Sequence, residues 1–75
     1  MTRLPACRPE EVIKALEQAG FQRTRVKGSH VRMRHADGRA VTVAQHKGQD
    51  VGKGLLRKIM RDAEMTSEEF MDFLK

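Results

Sequence analysis

From His30 to Ala44 the chain alternates apolar and polar residues on both sides of Ala36-Asp37-Gly38. A half-buried antiparallel hairpin satisfies this pattern, because side chains along a strand point to opposite faces in turn. The loop length sets the register. A two-residue Asp-Gly loop pairs Met33 with Thr42 and sets Arg34 opposite Val41, mixing the two faces. A three-residue loop with Gly38 left-handed pairs Met33 with Val41 and Val31 with Val43. Every apolar residue then faces one side, as a sheet with one buried face requires. The three-residue loop is therefore expected, with strands over His30–His35 and Arg39–Ala44. It leaves His30, Arg32, Arg34 and Thr42 together on the open face.

The flanking segments supply a layer to cover the apolar face. Residues 9–19 read as an amphipathic helix, with Pro9 at the first position, Glu10 and Glu11 opposing the dipole, and Val12, Ile13, Leu16 and Ala19 on one stripe. Gly20 suits a left-handed cap that lets Phe21 fold back toward Leu16. Phe21–Lys27 reads as a first strand and Gly28-Ser29 as a turn into the second. After a polar connection over residues 45–52, a helix is expected over Lys53–Ala63, burying Leu55, Leu56, Ile59, Met60 and Ala63. Thr66-Ser67-Glu68-Glu69 has the form of a capping box opening a third helix that carries Phe70, Phe73 and Leu74. Met1–Cys7 lacks periodicity and reads as a loose arm, with Leu4 touching the core. The expected fold is α+β and like the double-stranded RNA-binding domain: α-β-β-β-α with a three-stranded antiparallel sheet and a short extra C-terminal helix.

At 75 residues the chain is expected to form one domain, with its core over about 9–65 and a helical extension over 66–75. Lys and Arg number 15 against 10 Asp and Glu, a formal charge of +5, which points to nucleic acid or an acidic protein as partner. Placement says more than the sum: residues 22–34 carry Arg23, Arg25, Lys27, Arg32 and Arg34 and no acid. One cysteine permits no internal disulfide, and the histidine spacings of five and eleven match no strong metal-ligand pattern. Neither a membrane span nor a signal peptide is visible, so a cytoplasmic protein without a membrane partner is expected.

Lys27-Gly28-Ser29-His30 delivers a histidine, the side chain that most readily gives and takes protons near neutral pH, onto this cationic face. RNA carries its own nucleophile, the 2′-hydroxyl, so a histidine acting as base toward it, or as acid at the leaving oxygen, beside phosphate-binding cations is a minimal ribonuclease. A surface histidine closing a turn is the structural alternative. His35 beside the hairpin reads as structural, and His46 in its loop divides evenly between a supporting role and simple solvation. With no Trp, no Tyr and three Phe of core character, there is no stacking platform for bases, so recognition is expected to run through backbone and shape.

The chain resembles the HicA toxins, small ribonucleases of HicA/HicB toxin–antitoxin modules. The resemblance is carried by Glu11-Val12-Ile13-Lys14-Ala15-Leu16-Glu17 through Gly20-Phe21, by Lys27-Gly28-Ser29-His30, and by Asp37-Gly38-Arg39 with Val41-Thr42-Val43. His46 with Gly48 and Gly54-Leu55-Leu56-Arg57-Lys58-Ile59 complete it. It spans roughly residues 9–65. The family often has Pro at Ala44, Lys at Gln49, Thr at Leu55 and Gly at Glu64. The resemblance implies an mRNA-cleaving endoribonuclease, independent of metal and without a cofactor, with its catalytic histidine at His30. It also implies a HicB-type antitoxin that covers the active surface, the toxin being monomeric alone and part of a larger hetero-oligomer with its antitoxin. RNA contacts are expected from Lys27, Gly28, Ser29, Arg32, Arg34 and His46, with support from Lys53, Arg57 and Lys58 on the second helix. The competing functional readings are a non-catalytic RNA-binding module of the same fold and a docking partner for an acidic protein.

Overall fold

The computed structural model describes residues 6–46 and 48–74. Helix α1 (Pro9–Gln18) leads into strands β1 (Phe21–Lys27), β2 (His30–His35) and β3 (Ala40–Ala44), followed by α2 (Lys53–Ala63) and α3 (Ser67–Leu74). The strands form one antiparallel sheet in the order β1-β2-β3. This is the expected α+β arrangement. The predicted limits move by one residue: Ala19 caps α1, and β3 begins at Ala40.

The hairpin register is the one the apolar pattern demands, with Met33 opposite Val41 and Val31 opposite Val43. Gly38 has φ of 102°, and the His35 N–H donates to the Arg39 carbonyl at 2.8 Å, closing a three-residue loop. Val31, Met33, Val41 and Val43 are buried in one core with Val12, Ile13 and Leu16 of α1, Leu56 and Ile59 of α2, and Phe70 of α3. α1 and α2 pack on the sheet, and α3 lies against α1. The Thr66 capping box is made in both directions: the Glu69 N–H donates to Thr66 Oγ1 at 3.1 Å, and the Thr66 N–H to Glu69 Oε1 at 2.9 Å. These bonds hold the Glu69 carboxyl below its usual range.

Two expectations are corrected. Leu55 is 38% exposed. The buried stripe of α2 is Leu56, Ile59, Met60 and Ala63, and Leu55 falls just outside the arc that this spacing turns inward. Cys7 is no part of a loose arm. It is buried and forms an antiparallel bridge with Val51, whose N–H donates to the Cys7 carbonyl at 2.6 Å. Burial pushes its thiol pKa up, and Glu11 and Asp50 add to the effect. Leu4 lies outside the described residues.

Strand β1 departs from regular pairing. Arg23 lies opposite Met33 and Arg25 opposite Arg32, so Thr24 is a bulge residue with no partner of its own. Its hydroxyl donates to the Arg32 carbonyl at 3.3 Å. The extra residue resolves a conflict of spacing. Phe21 and Val26 are five residues apart, an odd interval that would put them on opposite faces of a regular strand. With the bulge, Phe21 pairs with His35 and Val26 with Val31, both on the helix side, where Phe21 is buried and Val26, toward the end of the edge strand, stays 59% exposed.

Candidate nucleic-acid interface

The open face of the sheet consists of three rows of directly opposed residues. The first is Lys27–His30–Ala44, the second Arg25–Arg32–Thr42, and the third Gln22–Arg34–Ala40. No row contains an acid, and Arg25, Lys27, His30, Arg32 and Arg34 are all exposed. The alternation that buries Val31 and Met33 is what turns His30, Arg32 and Arg34 outward.

His30 is the first residue of β2, beside the turn that joins it to β1. Gly28 has φ of 58° and Ser29 is not among the positive-φ residues, the pattern of a two-residue hairpin that favours glycine first. The Ser29 carbonyl accepts the Gln45 N–H at 2.5 Å, which ties the turn to the chain leaving β3. The imidazole therefore projects from an anchored corner, next to Lys27. Arg32 is held by a bond from its Nη1 to Thr42 Oγ1 at 3.1 Å. His46 is exposed, two residues past the partner of His30, and its carbonyl accepts the Gln49 N–H at 3.1 Å.

The cations of α2 divide. A groove of about 190 Å³ at the outer edge of β3 is lined by Arg32, Thr42, Leu55, Lys58 and Asp62, among others. Lys58 thus borders the cationic face. Lys53 and Arg57 are exposed on α2 and do not line this groove. Arg25 joins the site although the contacts expected from the sequence omit it. The signal was the odd spacing of Phe21 and Val26, which implies a bulge.

His35 is structural, as expected. Its ring stands edge-on to Phe21 with centroids 5.2 Å apart, and Nδ1 lies 3.1 Å from the Asp37 backbone nitrogen. Arg39 completes this corner. Its Nε donates to Asp37 Oδ2 at 2.7 Å, its Nη1 to the Ala63 carbonyl at the end of α2, and its guanidinium lies 5.2 Å from the Phe21 centroid. The Asp37 carboxyl is held below its usual range, first by the Arg39 backbone N–H and then by the Arg39 side chain.

A family model described as the HicA toxin of bacterial toxin–antitoxin systems matches residues 9–65. The chain belongs to the HicA toxin family. The match begins at α1 and ends after α2, so α3 lies beyond the family core. A comparison with curated proteins finds no match. Family membership makes this a toxin paired with an antitoxin, in a family of ribonuclease-type toxins. It also places the Asp37-Gly38-Arg39 match in structural terms: Gly38 closes the hairpin and Arg39 fastens it to α2. Among the described residues no group of three or more His, Cys, Asp or Glu is placed to hold a metal ion, and no helix is long and apolar enough to cross a membrane.

Proposed function

We propose that this HicA-family toxin is an endoribonuclease that cleaves mRNA through His30 and is silenced by a HicB-type antitoxin covering the same face. The observation that carries the reading is the exposed imidazole at the corner of an acid-free cationic sheet, with Lys27 directly opposite. His30 takes the proton from a ribose 2′-hydroxyl, and that oxygen attacks the adjacent phosphorus. The bond from phosphorus to the 5′-oxygen breaks, and the leaving oxygen takes a proton from water. The products are a 2′,3′-cyclic phosphate and a 5′-hydroxyl. Lys27 binds the scissile phosphate oxygens and stabilises the charge that builds on them, and Arg32, one row along, holds the RNA backbone beside it. Gly28 and Ser29 hold the turn that orients His30, Arg34 and His46 extend the contact, and Lys58 with Lys53 and Arg57 supplies a supporting cationic flank. The chemistry assigned to these groups requires no metal.

General-base assistance contributes about 10²–10⁴-fold. His30→Ala is therefore expected to slow cleavage of a labelled mRNA at least 100-fold while leaving RNA affinity largely intact, with wild-type cleavage persisting in EDTA. Equal cleavage by both forms removes His30 from the chemistry. Absence of cleavage by either, with salt-dependent binding retained, replaces the nuclease with a non-catalytic RNA-binding module.

A further inference from the structure

Arg23 and Arg25 are two residues apart and would share a face of a regular strand. The bulge at Thr24 separates them. Arg23 lies on the helix side, opposite Met33, with its Nε 3.5 Å from Glu17 Oε2 of α1. Arg25 lies on the open face, directly opposite Arg32. Like charges set opposite one another weaken a sheet. No described acid lies within ion-pair distance of either arginine. Arg32 is drawn toward Thr42 on β3, and among the described residues its guanidinium has no other hydrogen-bond partner. Two long, exposed arginine side chains on one row, without a counter-charge, can close together on a planar or tetrahedral oxyanion that lies across the row.

Building on the RNA reading above, we propose that Arg25 and Arg32 form a phosphate subsite one row along β2 from His30, holding the phosphodiester next to the scissile one. Successive open-face rows are two residues apart, about 6.7 Å along the strand. That step is commensurate with one nucleotide of an extended RNA strand. The RNA backbone then runs along β2, from the His30 row across the Arg25–Arg32 row toward Arg34. His30 stands at the end of the sheet, so this track covers one side of the scissile link. The Thr24 bulge is the device that turns Arg25 to this track and leaves Arg23 to pair with α1.

The test is the salt dependence of binding to a fluorescent 2′-O-methyl oligoribonucleotide, which lacks the nucleophile and stays intact whatever His30 does. Each lost phosphate contact to a single strand lowers the slope of log K against log[salt] by about 0.7. Arg25→Gln is expected to lower it by that amount, and Arg23→Gln to leave it unchanged. Arg25→Lys keeps the charge and loses the fork, so it should retain the slope while binding more weakly at every salt concentration. Circular dichroism checks that each variant is folded. An unchanged slope in Arg25→Gln, or an equal loss in Arg23→Gln, overturns the subsite. The predicted slopes together with no cleavage of unmodified RNA uphold the subsite and remove the nuclease reading. A wild type that does not bind the probe removes both.

Discussion

Helix α2 ends on a non-glycine residue in a conformation that favours glycine, and Glu64→Gly should stabilise the protein. Glu64 has φ of 54° and ψ of 44°, and it is the one non-glycine residue at positive φ among those described. The geometry is a Schellman cap: the Met65 N–H reaches the Met60 carbonyl at 2.9 Å and the Glu64 N–H reaches the Arg61 carbonyl at 3.1 Å. Met65 then packs against the core. The cap is intact, so the left-handed residue carries the strain, about 1–2 kcal/mol for an L-residue with a Cβ. Glycine removes that strain but gives up about 0.5–1 kcal/mol through its greater freedom in the unfolded chain. Taking an acid away from the negative end of the dipole returns a further 0.3–1 kcal/mol, roughly. The net gain is about 1 kcal/mol, which raises Tm by about 4–8 °C for a domain of this size. Urea and thermal denaturation followed by circular dichroism measure it. Glu64→Ala is the control, because it removes the charge and keeps the Cβ. If Ala matches Gly, the gain comes from charge and the strain argument fails; if Gly lowers Tm, the cap does not need a left-handed residue.

Arg39→Ala should destabilise by about 2–3 kcal/mol, counting the bond to the Ala63 carbonyl and the contact over Phe21 and leaving out the exposed pair with Asp37; urea unfolding reads the loss, and a change under 0.5 kcal/mol would show that the hairpin and α2 hold without this fastening (roughly the size of an ordinary surface substitution). Asp37 and Glu69 both have lowered carboxyl pKa values in the fold. Their contribution is therefore fully present above the unfolded carboxylate range and is lost as pH falls through the lower folded values. The urea midpoint should fall on acidification from that range, and Asp37→Asn with Glu69→Gln should flatten the fall; an unchanged slope in the double variant would place the acid sensitivity elsewhere.

The parts of the fold that were legible in the sequence are those where one local rule decides the outcome. Alternation across Val31, Met33, Val41 and Val43 admits a single register, and Thr66 with Glu69 names its own cap. The parts that were not legible depend on long-range contact. Nothing local to Cys7 announces a bridge to Val51, more than forty residues away. Leu55 and Leu56 are chemically alike, and only the packing angle of α2 decides that Leu56 is covered. Nothing local to Arg39 says that it reaches the end of α2; the hairpin brings it beside Ala63.

The candidate site divides along the same line. His30, Arg32 and Arg34 follow from the alternation that fixes the core, so a sequence that buries Val31 and Met33 must also present them. Arg25 follows only once Thr24 is allowed to bulge, and the one sequence sign of it is apolar: Phe21 and Val26 share a face at an odd interval, although only Phe21 is buried there. The two constraints converge. The same bulge that puts Phe21 and Val26 on one side puts Arg25 opposite Arg32, gathering like charges where separation would favour the sheet. Stability alone gives no reason to keep that pair without a counter-charge. The RNA strand proposed to cross this face would supply one, in keeping with the acids of this chain lying on the helices and loops while the three rows around His30 have none.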